Sequence, residues 1–77
     1  GRYDIIIEPK DTSKEAFILE FKVHDADDEK DLKETVAAAL QQIEEKQYEI
    51  ALIARGFKSE QIRKYGFAFE GKKVLIG

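Results

Sequence analysis

Residues 15–22 read E-A-F-I-L-E-F-K, with four consecutive apolar residues from Ala16 to Leu19. Such a short apolar run fills both faces of an extended strand, which predicts a strand in the centre of a sheet. Side chains alternate across a strand, so Glu20 and Lys22 share a face with Ala16. Burying charge is costly unless the charge is paired or binds an ion. A carboxylate and an ammonium at the end of a core strand therefore suggest a functional site.

A second strand precedes this one along the chain. Residues 3–8 read Y-D-I-I-I-E and are rich in β-branched side chains, and residues 9–14, P-K-D-T-S-K, have the composition of a turn. We therefore predict an antiparallel hairpin. The sequence leaves its register open, but a turn centred on Thr12 matches apolar residues with apolar residues. The pairs in that register are Asp4 with Glu20, Ile6 with Ile18, and Glu8 with Ala16.

The predicted register brings two acidic side chains together. Asp4 and Glu20 would lie on one face of the hairpin with their Cβ atoms roughly 5 Å apart. Two carboxylates at that distance repel each other unless a cation or a proton lies between them. Because hard oxygen ligands suit Mg²⁺ or Mn²⁺, we expect this pair to hold one of these ions.

The remaining chain predicts two helices followed by two strands. Asp27 or Asp28 can cap a helix from about Glu29 to Lys46, and residues 48–55 form a second helical piece that ends at Gly56. Residues 57–60 are a connector, residues 61–69 alternate as a third strand, and residues 74–76 form a short last strand after a turn. The inward side chains are predicted to be Leu32, Val36, Ala39, Leu40, Ile43, Ala51 and Leu52 on the helices, while Tyr65, Phe67 and Phe69 share one face of the third strand.

The element order β-β-α-α-β-β predicts a small α/β (α+β) domain with a mixed sheet. The helical crossover lets the third strand lie parallel to the second, with both helices on one face. The other face is then bare, and the chain enters its first strand directly after Gly1. We therefore expect residues 1–77 to be one domain cut from the C-terminal end of a longer protein, with preceding structure missing.

Composition excludes several classes of protein. There is no Cys, and His24 is the only His, which excludes disulfides and zinc sites built from Cys or several His residues. No apolar run approaches the ~20 residues of a membrane span and no signal-peptide pattern is present, so we expect a cytoplasmic protein without membrane contact. The net charge of −3 argues against a module that grips nucleic acid by bulk positive charge.

The chain resembles the PD-(D/E)XK nucleases. That superfamily carries an Asp on one strand and Glu-x-Lys on the next, matched here by the segment ending at Asp4 and by Glu20-Phe21-Lys22. The strings I-L-E-F-K, Q-Q-I-E-E-K-Q-Y and K-Y-G-F-A-F-E-G-K-K-V-L-I are similar to an uncharacterised bacterial group in which this module follows an AAA-type ATPase domain. Two departures are the absence of the N-terminal helix and strand of this restriction-endonuclease-like core, and Tyr3 in place of the Pro before the Asp.

The resemblance implies Mg²⁺- or Mn²⁺-dependent hydrolysis of a phosphodiester in nucleic acid, DNA before RNA. Asp4, Glu20 and the backbone carbonyl of Phe21 would hold the metal, and Lys22 would position or help deprotonate the attacking water. Gln42 would orient water or a phosphate oxygen. Helical geometry supports Gln42 over its neighbour, because Gln42 flanks the apolar stripe whereas Gln41 points away from it.

Plainer interpretations exist for each of these residues. A Glu-x-Lys string alone is usually a surface pair, and Gln42 can be a solvated helix flank. Tyr48, a weaker match to an extra motif of one subgroup, and Tyr65 fit packing roles. The acidic run of residues 25–31 fits a helix start better than a metal site, and His24 fits a loop. The alternative function is a non-catalytic regulatory or protein-interaction module that retains the nuclease fold.

Overall fold

The structure, a computed structural model, describes residues 2–77, and Gly1 at the head of the Asp4 segment lies outside the described residues. The elements follow the predicted order of two strands, two helices and two strands. They are β1 (Arg2–Ile7), β2 (Ala16–Val23), α1 (Leu32–Glu45), α2 (Tyr48–Ala54), a 3₁₀ turn at Ser59–Gln61, β3 (Ile62–Glu70) and β4 (Lys73–Ile76).

The four strands form one mixed sheet in the order β1-β2-β3-β4. β1 is antiparallel to β2, β2 is parallel to β3, and β3 is antiparallel to β4. The predicted mixed sheet and its parallel central pair are therefore confirmed. The helical segment between β2 and β3 makes this parallel pairing possible, because parallel neighbours need a long crossover connection.

The hairpin register is the predicted one. Asp4 pairs with Glu20 and Ile6 with Ile18, but the ladder ends at Ile7 and Phe17, so the expected pair of Glu8 with Ala16 does not form. The turn is organised at Asp11, whose Oδ1 accepts hydrogen bonds from the Ser13 N–H at 2.9 Å and the Ser13 hydroxyl at 2.7 Å. Such an Asx turn is the chemistry that the Asp-Thr-Ser composition indicates.

Helix α1 begins later than the sequence suggested. Asp31, not Asp27 or Asp28, is the N-cap, and its Oδ1 accepts from the Glu34 N–H at 3.0 Å. The predicted start at Glu29 was wrong because the Glu29 N–H bonds to the Asp25 carbonyl at 2.8 Å, which closes a separate turn before the helix. The buried stripe of α1 consists of Thr35, Val36, Ala39 and Ile43, with Leu32 and Leu40 partly buried.

The core lies between the helices and one face of the sheet. It contains Ala16, Ile18, Ile43, Leu52, Phe57 and Ile62. Leu52 of α2 points inward as predicted, whereas Ala51 is exposed, contrary to prediction. Phe57 lies in the predicted connector but is only 2% exposed, because the turn at Gly56, with φ of 111°, folds it back onto the core.

Gly66 determines how closely α1 approaches the sheet beside the candidate site. Gly66 is the β3 partner of Glu20, and a Cβ added there would lie 3.0 Å from the Val36 carbonyl oxygen and 3.1 Å from the Ala39 Cβ. A larger residue would push α1 away from the strand that carries Glu20. The glycine therefore sets how closely α1 packs against the sheet.

The opposite face of the sheet is covered by no helix in residues 2–77. It carries a row of stacked rings, with Phe21 centred 4.7 Å from both Tyr3 and Phe67. Tyr65 and Phe69 lie on the same face, as the alternation in β3 predicted. Much of this surface is apolar and exposed, including Tyr3 and Ile5.

Candidate active site

Asp4 and Glu20 lie directly opposite each other in the β1–β2 ladder. Cross-strand partners project to the same side of a sheet, so both carboxylates lie on the helix-covered face with Ala16 and Ile18. Glu20 is fully buried and Asp4 is partly exposed at the edge. The structure therefore confirms the predicted juxtaposition of Asp4 and Glu20.

A lysine that sequence reasoning did not single out lies between these acids. Lys46 Nζ is 2.5 Å from Asp4 Oδ2 and 3.7 Å from Glu20 Oε1. Its hydrogen bond to Asp4 is the main reason that the pKa of Lys46 is raised, with the charges of Glu20 and Asp4 acting in the same direction. The repulsion expected between the two carboxylates is thus offset by an ammonium group.

Tyr48 also contacts the site. Its hydroxyl donates a 2.7 Å hydrogen bond to the same Asp4 Oδ2 that accepts from Lys46. Because the ionised carboxylate is stabilised first by Lys46 and then by Tyr48, the pKa of Asp4 is lowered despite partial burial. The hydrogen bond to Asp4 also raises the pKa of Tyr48. Tyr48 packs against the core, as the plainer interpretation expected, and it contacts Asp4 in addition.

The junction of α1 and α2 places both side chains. Lys46 caps the C-terminus of α1, and Gln47 then takes a left-handed conformation with φ of 58° before α2 begins at Tyr48. A non-glycine residue rarely adopts this conformation, and here it redirects the chain so that Lys46 and Tyr48 both reach back to β1. The site is therefore built from a strand hairpin and a helix junction.

Lys22 lies two residues beyond Glu20 on the same face and is 8% exposed. Its ammonium donates a 2.6 Å hydrogen bond to Glu29 Oε2. Glu29 Oε1 accepts from the Thr35 hydroxyl at 2.7 Å and from the Asp25 N–H at 2.9 Å. Although burial of Glu29 raises its pKa, these hydrogen bonds and the Lys22 charge outweigh burial and hold the pKa at about 2.

His24 closes the same network from the end of β2. Its Nδ1 lies 2.7 Å from the Thr35 hydroxyl oxygen and 3.5 Å from Glu29 Oε1. The predicted loop position is confirmed, but the side chain is 7% exposed rather than solvated. Together, Thr35 and His24 form a polar network around Glu29, the partner of Lys22, that no motif in the sequence indicated.

Gln42 is partly buried on α1, one turn before Lys46, and its backbone carbonyl accepts the Lys46 N–H at 3.1 Å. Residues four apart lie on the same face of a helix, so Gln42 is on the face from which Lys46 reaches the acids. Its role toward water or phosphate stays a prediction. The Phe21 ring points to the opposite, aromatic face, and the metal-binding role of its carbonyl likewise stays a prediction.

Comparison with protein families matches residues 1–77 to the PD-(D/E)XK nuclease superfamily. The chain belongs to this superfamily. No curated protein and no solved structure matches the chain in the corresponding comparisons. The superfamily assignment covers the sequence from the first strand to the last.

Membership in the PD-(D/E)XK superfamily implies a divalent metal, because these nucleases usually use one. Within residues 2–77 no group of three or more His, Cys, Asp or Glu side chains gathers in a way that could hold a metal. The Asp4 and Glu20 carboxylates nevertheless fit a cation site, since Asp4 Oδ2 and Glu20 Oε1 already face the positive charge of Lys46. Mg²⁺ commonly takes one or two carboxylates and completes its shell with water and substrate phosphate. The carboxylates of Asp4 and Glu20 in this PD-(D/E)XK chain therefore fit Mg²⁺.

The helices of this PD-(D/E)XK chain are too short or too polar to cross a bilayer, as far as residues 2–77 show.

Proposed function

We propose that this chain is a metal-dependent nuclease domain that hydrolyses phosphodiester bonds in nucleic acid, with DNA as the expected substrate. The observation that supports the proposal most strongly is the arrangement of Asp4, Glu20 and Lys22. The two acids are cross-strand partners, and the lysine follows Glu20 on the same face. This is the constellation that the PD-(D/E)XK signature names, assembled on adjacent strands.

Each residue has a distinct role in the proposed reaction. Asp4 and Glu20 would hold Mg²⁺ or Mn²⁺, with the Phe21 carbonyl as a further oxygen ligand. The bound ion would acidify a water molecule and neutralise charge that builds on the phosphate. Lys22, once turned from Glu29, would position the attacking water, and Gln42 would orient that water or a phosphate oxygen.

Tyr48 would position Asp4 in this mechanism. Its hydroxyl holds Asp4 Oδ2 at 2.7 Å, and it reaches the carboxylate from a different element than the strand that carries Asp4. A carboxylate fixed from two directions loses less freedom when it takes up a ligand, which favours binding. Tyr48 is thus a positioning residue rather than a group that touches the phosphate.

We propose that the domain acts in the cytoplasm and next to an AAA-type ATPase domain in a longer parent chain. The support for this arrangement is the likeness of three sequence strings to that bacterial group. The acidic net charge of −3 also fits a module whose grip on nucleic acid is supplied in part by another domain.

A non-catalytic interaction module remains the second candidate. Two observations favour it: Lys22 is paired with Glu29, and the sheet face opposite the helices presents a stack of aromatic rings in which Tyr3 is exposed. Contiguous exposed apolar surface is typical of interaction sites, including those for other proteins. On this alternative, the fold would serve recognition and the acids would have no metal to hold.

The two candidates differ in a cleavage assay on the full-length parent protein. Duplex DNA, single-stranded DNA and RNA are incubated with Mg²⁺ or Mn²⁺, with EDTA as the metal-free arm. The nuclease proposal expects metal-dependent cleavage that falls by about 100-fold or more in Lys22→Ala, since a positioned proton-transfer group contributes about that factor. Lys33→Ala, which removes an exposed lysine from the start of α1, is the matched control and should cleave normally. Wild-type protein that cuts none of the three substrates with either metal would favour the interaction module.

A further inference from the structure

Lys46 places its ammonium group between the two acids that would hold a divalent metal. Its Nζ lies within 4 Å of both carboxylates, at 2.5 Å from Asp4 Oδ2 and 3.7 Å from Glu20 Oε1. Asp4 Oδ2 accepts a second hydrogen bond from Tyr48, so this oxygen already has two donors. A metal that ligates Asp4 through the same oxygen therefore competes directly with Lys46.

The Lys46 side chain is free to leave this position without disturbing the core. Its side chain is 32% exposed, it is the C-cap residue that follows α1, and the buried cluster does not include it. The ammonium also lies 5.9 Å from the centroid of the Tyr48 ring, on a flexible four-carbon stem. Lys46 can thus move outward while the strands and helices keep their places.

We propose that Lys46 is a resident counter-ion of the Asp4–Glu20 pair and that divalent metal binds by displacing its ammonium group. The inference rests on the proposed metal-dependent function and adds an exchange step to it. Lys46 offsets one of the two negative charges of the pair when metal is absent, and the same contact lowers the apparent affinity for metal. When only a fraction of the protein molecules can bind a ligand, the apparent affinity is reduced by that fraction. Here the competent molecules are those in which the Lys46 ammonium has left Asp4.

The test is a Mg²⁺ titration of the protein, followed at backbone amides by NMR, in wild type and Lys46→Met. Methionine keeps much of the stem but removes the charge, so metal should bind on the order of fivefold more tightly, as expected for a partly exposed pair worth about 1 kcal/mol. Lys33→Met makes the same charge change on the same helix, about 20 Å away at 1.5 Å per residue, and should bind metal as wild type does. Lys46→Arg keeps the ion pair and should show no tightening.

A crystal structure of the Mg²⁺-loaded wild type separates displacement from a simple charge effect. The proposal expects Lys46 Nζ beyond about 4 Å from Asp4 Oδ2, the distance at which an ion pair is no longer counted. Metal bound to the acids with Lys46 still in contact would overturn the inference, even if Lys46→Met binds more tightly. Equal affinities in wild type, Lys46→Met and Lys33→Met would also overturn it, while leaving the proposed nuclease intact because metal still binds. If none of these three proteins binds metal, the proposed nuclease function itself is contradicted.

Discussion

Lys22 donates a 2.6 Å hydrogen bond to Glu29, and both side chains are at least nine-tenths shielded from solvent. Lys22, the lysine of the Glu-x-Lys motif, is therefore held by Glu29, which lies in the loop that precedes α1. Glu29 in turn is fixed by the Thr35 hydroxyl of α1 and by the Asp25 N–H. This relationship links the strand that carries the site to the helix that covers it.

Replacing Glu29 by Gln should destabilise the protein by about 3 kcal/mol, because removing one partner of a buried ion pair leaves the other charge uncompensated. The measurement is the free energy of unfolding by urea denaturation. Glu60→Gln makes the same change at an exposed position and should alter stability by less than about 0.5 kcal/mol. Equal stability of the two variants would show that the Lys22–Glu29 pair contributes nothing.

Acid should destabilise the protein in a defined pH range. Folding lowers the pKa of Glu29 from 4.5 to about 2, so the unfolded chain binds more protons than the folded one between these values. The stability from this group is fully present above about pH 5 and is lost as the pH falls toward 2. The lowered pKa values of Asp4 and Glu49 act in the same direction.

The same pH dependence can be assigned to Glu29 by comparison with its amide variant. The free energy of unfolding is measured between about pH 5 and pH 2 in wild type and in Glu29→Gln. The variant should lose less stability over this range, because one depressed carboxyl group has been removed. Parallel curves for the two proteins would contradict the assignment.

Removing the Tyr48 hydroxyl should loosen Asp4. Tyr48→Phe is expected to raise the pKa of Asp4, measured by NMR of its carboxyl carbon, because one of the hydrogen bonds that stabilise the carboxylate is lost. The cost in stability should be about 1 kcal/mol. Tyr65→Phe removes a hydroxyl from the opposite face of the sheet and serves as the control. An unchanged pKa of Asp4 in Tyr48→Phe would show that the Tyr48 hydroxyl does not stabilise the Asp4 carboxylate.

The hairpin could be predicted because its information is local. The turn residues at Asp11 to Ser13 and the apolar match of Ile6 with Ile18 select one register, and that register alone brings Asp4 opposite Glu20. Alternation in β3 and helical spacing in α1 are local signals of the same kind. The fold and the acidic pair therefore follow from short stretches of sequence.

The remaining contacts of the site depend on where distant elements meet. Lys46 and Tyr48 reach Asp4 only because Gln47 turns the chain in a left-handed conformation, which a Gln does not signal in sequence. Glu29 looked like the first residue of a helix, and nothing local shows that it pairs with Lys22. Phe57, a single aromatic residue in a connector, has no periodicity that would predict its burial.

A Mg²⁺ titration of the wild-type protein tests most directly whether Asp4 and Glu20 form a site for a divalent cation. Backbone amide signals of Asp4, Glu20 and Phe21 should shift saturably with Mg²⁺, more than those of the distant β4, and Asp4→Asn should abolish the shifts. Spectra in which these three residues do not respond to millimolar Mg²⁺ or Mn²⁺ would contradict the metal-site account.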